Sequence, residues 1–249
     1  MTRVLLLGGT SEASRMALAL AAAGVEAVFS YAGRTETPGP QPLPRRIGGF
    51  GGVAGLAEYL AREKITHVID ATHPFAVQMS RNAAAACGTA QIPLIALERP
   101  PWQAGPEDRW TIVPDTAGAV AALAGPARRV FLAIGRQTLD AFAARPQHHY
   151  LVRLVDPPTD PLPLPHVEVV VARGPFDLAG DLALLGHHRT QLVVAKNAGG
   201  SGASAKIAAA RRLGLPVVMI DRPEPAARRV AAQVDEVMGW LHHTARLGA

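Results

Sequence analysis

The run Gly8-Gly9-Thr10-Ser11-Glu12-Ala13 stands between a short apolar segment and a stretch of helix-forming composition. Glycines there let the backbone turn tightly. The free N–H groups and positive dipole end of the following helix then suit a pyrophosphate. The spelling departs from G-x-G-x-x-G: Gly8 fits the first position, but Thr10 and Ala13 fill the second and third. A tight turn capped by Thr10 or Ser11, with no ligand, is the plainer reading of the same residues. A second feature favours a nucleotide. In a dinucleotide fold the end of the second strand meets the adenosine ribose, with an acid for NAD or an arginine for the 2′-phosphate of NADP. That place carries Tyr31-Ala32-Gly33-Arg34-Thr35, without an acid. Arg34 can pair bidentately with a phosphate and Thr35 can add a hydroxyl donor. NADPH is therefore the expected cofactor, and an exposed loop arginine is the alternative.

The elements that must position these residues follow from periodicity. Val4 to Leu7 reads as a strand, Ser11 to Ala23 as a helix stopped by Gly24, and Val25 to Tyr31 as a second strand. Val53 to Arg62 and Ala76 to Ala86 read as helices, His67 to Asp70 and Leu94 to Leu97 as further strands. Strands alternating with helices predict an α/β fold with right-handed crossovers and mainly parallel sheets. The rhythm repeats. Val4 to Gly8 is similar to Val130 to Gly135, Thr66 to Ala71 to Thr190 to Ala195, and Ile92 to Pro100 to Leu215 to Pro223, at nearly constant spacing. Two tandem Rossmann-like domains are expected, 1–115 and 116–249, with a cleft between them for a large substrate. The second-half loop Gly135-Arg136-Gln137-Thr138 has one glycine and an arginine where backbone would need to approach closely. It predicts no second dinucleotide, but a helix N-terminus that, with Arg136, suits carboxylates.

The chain of 249 residues is long enough to bury a core without disulfide or metal, and Cys87 is its single cysteine. With no apolar run long enough for a signal peptide or membrane span at the N-terminus, a cytoplasmic setting is expected. The net charge of +5 favours an anionic partner. The basic residues are scattered singly or in pairs such as Arg45-Arg46 and Arg228-Arg229, without a basic run or a nucleic-acid-binding motif. No nucleic acid is expected, and solvated surface is the ordinary reading for most of these side chains. The pairs His148-His149, His187-His188 and His242-His243 lack metal-ligand spacing and are expected at exposed ends, so no metal is predicted.

The order of motifs resembles that of precorrin-6A reductases. It is carried by Gly8-Gly9-Thr10-Ser11-Glu12, Ala32-Gly33-Arg34-Thr35, Ile47-Gly48-Gly49-Phe50-Gly51-Gly52 and Asp70-Ala71-Thr72-His73-Pro74-Phe75-Ala76. Downstream it continues through Arg99-Pro100-Pro101-Trp102, Ala133-Ile134-Gly135-Arg136-Gln137, Leu151 to Pro158, Arg173 to Phe176, Lys196 to Gly200 and Val217 to Pro223. The resemblance implies NADPH-dependent reduction of a ring-D double bond in a corrin precursor, with hydride to one carbon and a proton to its neighbour. It extends to reductases of cobalt-bound precursors, and Arg34 leans the reading towards NADPH and the metal-free substrate.

Such a substrate is a polycarboxylate tetrapyrrole, which calls for inward-reaching cations. By motif position these are Arg136, Arg153, Lys196 and Arg222, each of which also reads as a surface or structural ion pair. Gly8, Gly9, Thr10, Ser11, Glu12, Arg34, Thr35, Thr72 and His73 are the expected cofactor contacts. His73 is a candidate proton donor, or else a loop-fixing group. Asp156, before Pro157-Pro158, is a second candidate acid or water-positioning group, or a turn initiator. The run Gly48 to Gly52 reads as a mobile lid or a plain loop.

Rival readings fare worse. A short-chain dehydrogenase needs Tyr-x-x-x-Lys, but Tyr31, Tyr59 and Tyr150 are followed at that distance by Thr35, Glu63 and Leu154. A methyltransferase using S-adenosylmethionine would favour an acid where Arg34 stands. A non-catalytic two-domain binder of an anionic small molecule stays open. The sequence does not fix the oligomeric state.

Overall fold

The structure, a computed structural model, describes residues 1–33, 39–224 and 227–247. The first sheet is built from β1 (Arg3–Leu7), β2 (Glu26–Tyr31), β3 (Arg45–Ile47), β4 (His67–Asp70) and β5 (Leu94–Leu97). These alternate with α1 (Ser11–Ala22), α2 (Gly52–Arg62) and α3 (Val77–Ala90). Next come β6 (Arg109–Val113), α4 (Thr116–Ala122), β7 (Arg129–Ala133), two 3-10 turns (Arg136–Thr138 and Asp140–Ala144), β8 (His149–Leu154) and β9 (Val167–Val171). The chain ends with α5 (Leu178–His187), β10 (Leu192–Lys196), α6 (Ala205–Arg212), β11 (Pro216–Ile220), β12 (Arg229–Ala231) and α7 (Val234–Leu247). No helix among the described residues is long and apolar enough to cross a membrane.

Both sheets are parallel and six-stranded, ordered β12-β5-β4-β1-β2-β3 and β6-β11-β10-β7-β8-β9. Counted from the first strand outward, each runs 3-2-1-4-5-6, the order of a doubly wound nucleotide-binding sheet. The central strands are apolar without alternation because both faces are covered. Val4 and Leu6 pack with Met16 and Leu20 of α1 and with Val237, Trp240 and Leu241 of α7. Leu5 and Leu7 pack on the other face with Leu56 and Leu60 of α2 and Ala83 and Ala86 of α3. Each fully buried side chain of this size contributes about 1.5–3 kcal/mol. In the second sheet Phe131, Val193, Val217 and Met219 pack against Leu185 of α5 and Ile207 and Ala210 of α6.

The sixth strands are exchanged. β6 follows β5 in the chain yet pairs with β11, from Pro216↔Arg109 to Ile220↔Val113. β12 follows β11 yet pairs with β5, from Arg229↔Ile95 to Ala231↔Leu97. One compact unit therefore comprises 1–100 with 224–249, and the other comprises 101–223. This differs from the expected contiguous halves 1–115 and 116–249. The pairing of β12 and the apolar face of α7 draw the C-terminal segment into the first core.

Candidate functional site

In an open α/β sheet, ligands bind beyond the strand C-termini where the strand order reverses. In the first unit that point lies between β1 and β4, whose ends are in register at Leu7↔Asp70. Gly8 leaves β1 with its N–H donating to Ser30 O at 2.9 Å. A Cβ on Gly8 would lie 2.1 Å from the Phe29 ring, so only glycine fits. Gly9, at φ +120°, has nothing within 4 Å of where its Cβ would be, leaving open space above the start of α1. Thr10 is the N-cap: its Oγ1 accepts from Ala13 N at 3.1 Å and donates to Ala71 O at 2.7 Å, tying the two switch-point loops together. Ser11 is exposed.

Glu12, expected among the cofactor contacts, turns inward. It is 4 % exposed and its carboxylate is held by Arg99, by Arg15 at 2.9 Å and by Ser11 Oγ at 3.0 Å. Burial pushes its pKa up, but the Arg99 charge and hydrogen bonds from Arg99, Ser11 and its own backbone N–H outweigh that and hold it below the usual value. Its part at the site is to anchor the first turn of α1. Arg99 in turn neutralises a charge that would oppose a bound anion.

On the β4 side, Asp70 is 2 % exposed and its Oδ1 accepts from Thr72 N at 3.1 Å and Thr72 Oγ1 at 2.7 Å. His73 is half-buried; its Nδ1 accepts from Phe75 N at 3.2 Å and its carbonyl from Ala76 N at 2.7 Å. The first unit thus brings Gly8, Gly9, Thr10, Thr72 and His73 to one strand edge. Arg34 and Thr35 lie outside the described residues.

Two arginines that read as solvated pairs in the sequence are held by partners within the first unit. Arg46 donates to Ser30 Oγ and Gly48 O, both at 2.8 Å, and to Gly49 O at 3.0 Å, with its guanidinium 3.8 Å from the Phe50 ring centre. It ties down the Gly48 to Gly52 run, which favours the plain-loop reading over a lid. The Arg228 side chain is 6 % exposed and meets Glu98 at 2.8 Å and Asp70 at 3.7 Å. For Arg46 no signal was available, because β3 is a 3-residue edge strand that leaves no detectable run. For Arg228 there was none either. His148 and His188 are also buried rather than exposed, while His149 and His187 face outward. Among the described residues, no group of three or more His, Cys, Asp or Glu side chains could hold a metal ion.

At the second sheet the four expected cations divide. Arg153 is paired with buried Asp181 at 2.5 Å and stacks 3.6 Å from the Phe176 ring centre. Arg222 donates to Asn197 O and Ala198 O, both at 3.0 Å, clamping the loop after β10. Both thus have partners within the second unit. Arg136 is exposed, 3.4 Å from Thr159 Oγ1, and Lys196 closes β10 half-buried. Asp156 follows β8 at 3.5 Å from Arg173. The helix expected after Gly135 is replaced by the two 3-10 turns. Arg136 consequently has no α-helical N-terminus behind it.

By fold the chain is a doubly wound α/β protein with two parallel sheets. A family model described as "Precorrin-6x reductase CbiJ/CobK" matches residues 3–242. The chain is 64% identical over 241 residues to a precorrin-6A reductase of Rhodobacter capsulatus, covering 97% of this chain and 96% of that one. It is 49% identical over 242 residues to a precorrin-6A reductase of a Sinorhizobium species, covering 97% and 93%. A cobalt-precorrin-6A reductase of Priestia megaterium is 29% identical over 98% of this chain and 99% of its own. A solved structure, CobK precorrin-6A reductase, superposes with a TM-score of 0.96 at 63% identity, covering 98% of this chain and 97% of that one. The chain belongs to the precorrin-6x reductase family, and so to a family of oxidoreductases.

Proposed function

We propose that the chain uses NADPH to reduce one ring-D carbon–carbon double bond of precorrin-6A, giving precorrin-6B. The observation that carries this reading is the first switch point: an open glycine at a capped helix N-terminus, beside a turn presenting Thr72 and His73. The fit to a dinucleotide is good on chemistry, because Gly9 leaves room for a pyrophosphate and Arg99 neutralises Glu12. Bound there, NADPH would supply the hydride. The protein's part is to hold the reactants in register, exclude water and provide the proton. Gly8, Gly9 and Thr10 would cradle the pyrophosphate, Arg34 and Thr35 the 2′-phosphate, and Thr72 with His73 the nicotinamide end. Because His73 Nδ1 accepts from Phe75 N, the neutral ring carries its proton on Nε2, the form that can donate. Arg136 and Lys196, at the strand ends of the second sheet, would meet substrate carboxylates, with Arg153 and Arg222 beside them held by partners of their own.

The test is anaerobic incubation of the purified protein with precorrin-6A, comparing NADPH with NADH while following nicotinamide oxidation and product mass. NADPH oxidation with a product heavier by one hydride and one proton is expected. Turnover only with cobalt-precorrin-6A would move the substrate to the metal-bound branch, and turnover with neither would defeat the reading. Arg34→Ala is expected to weaken NADPH far more than NADH; equal losses would remove the phosphate assignment.

A further inference from the structure

We infer that Asp70, braced by Ser80 and Arg228, is a positioning residue that sets the orientation of His73 through Thr72. The proposal rests on the reading above for what His73 does, but its geometry stands by itself. Asp70 closes β4 with one carboxylate oxygen given to the backbone N–H and hydroxyl of Thr72, at 3.1 and 2.7 Å. The other oxygen accepts from Ser80 Oγ of α3 at 2.6 Å and faces Arg228 Nε at 3.7 Å. Arg228, just before β12, is itself held by Glu98 at the end of β5, at 2.8 Å. Three parts of the chain, one of them remote from the turn in sequence, thus converge on one carboxylate at the switch point.

A carboxylate this deeply buried needs every oxygen satisfied, and its geometry is then fixed by its partners. What Asp70 fixes is Thr72, the residue just before the His73–Ala76 turn, and the next residue is His73. The ring's Nδ1 accepts from Phe75 N, two residues further along the same turn. If Thr72 shifts, Nδ1 loses that donor, and the ring is no longer held to the tautomer with its proton on Nε2. The bracing therefore selects which ring nitrogen can give up a proton. Arg228 brings the last segment of the chain into that selection.

The test uses full-length protein with 15N-labelled histidine, the His73 signal being assigned with His73→Gln. Long-range 1H–15N spectra read the tautomer without substrate, in the native protein and in Ser80→Ala and Asp70→Asn. The native ring is expected to show protonated Nε2 only, and the variants a mixture of tautomers. With precorrin-6A, kcat is expected to fall on the order of tenfold or more, well beyond any loss of NADPH affinity, which Thr72 and His73 would touch only at the nicotinamide end. Should Asp70→Asn fail to fold, Ser80→Ala, which removes a single hydroxyl, carries both readouts. An unchanged tautomer in the folded variants overturns the proposal. So does a parallel loss of kcat and NADPH affinity, which a merely structural role would give. A native protein that reduces neither precursor defeats the proposed function, whereas the tautomer still decides whether Asp70 orients His73.

Discussion

The two sheets share one strand order and both follow their first strand with a glycine at positive φ, but the backbone that comes next differs. After β1 comes a 12-residue helix with a threonine cap and open space at Gly9. After β7 come 3-10 turns of 3 and 5 residues with Arg136 at their start. Peptide dipoles add up along a helix of three turns, but hardly along such short turns. The first switch point therefore offers an aligned helix N-terminus, and the second offers Arg136 at the start of a short turn instead. One repeated topology thus carries a capped α-helix at one switch point and short 3-10 turns at the other.

The largest effect is expected from removing residues 224–249. It deletes β12 and the Val237, Trp240 and Leu241 contacts of α7, together worth a large share of the ~5–15 kcal/mol that stabilises a domain. Loss of cooperative unfolding in the first unit, followed by circular dichroism, and loss of NADPH binding are expected. Retention of both would mean that the first unit is complete without the exchanged strand. Next in size, Gly8→Ala forces a Cβ to within 2.1 Å of the Phe29 ring. It should cost about 1–3 kcal/mol and weaken NADPH on the order of tenfold or more. Gly135→Ala, at φ +78°, is expected to cost comparable stability, about 1–3 kcal/mol, yet to leave NADPH affinity unchanged by titration calorimetry. Equal effects on affinity would erase the contrast between the switch points.

Smaller effects should follow at the cationic edge. Arg136→Gln and Lys196→Gln are each expected to raise the substrate KM about twofold to fivefold, because a solvent-screened ion pair is worth ~0.2–1 kcal/mol. The NADPH dissociation constant should not move, and movement there would reassign these residues. The smallest effect concerns acid. Burial holds His67 below its ordinary value of 6.5, so the unfolded chain binds more protons and stability falls as pH drops below that value. Glu12 is held below 4.5, so its contribution is lost only in a more acidic window. In thermal melts across pH, His67→Gln should flatten the first window and Glu12→Gln the second. A melting temperature with no slope in either window would contradict both assignments.

The central strands were legible in the sequence because burial on two faces writes an uninterrupted apolar run, as in Val4 to Leu7 and Leu192 to Ala195. The edge strands were not. β3, β6 and β12 carry arginines and exposed side chains such as Ile47, Ile112 and Val230, and a half-solvated strand of 3 to 5 residues leaves no run to detect. The strand exchange was hidden for another reason. Local pattern reports what a segment prefers to be, whereas partner choice depends on residues far away in the chain. The glycine turn, Thr10 and His73 were legible as a motif, but Arg228 was not, since its role exists only once β12 lies beside β5. Glu12 was legible as part of the motif, but its burial against Arg99 was not, because Arg99 follows a different strand.

The exchanged strand also bears on how the molecule is made. Synthesis runs from the N-terminus, yet the first sheet has no sixth strand, and Asp70 no Arg228, until residues near the C-terminus have left the ribosome. The second unit is contiguous and is fully synthesised earlier. The unit that contains β1 is thus the last to be completed, and a nascent or prematurely terminated chain carries a first sheet without its sixth strand.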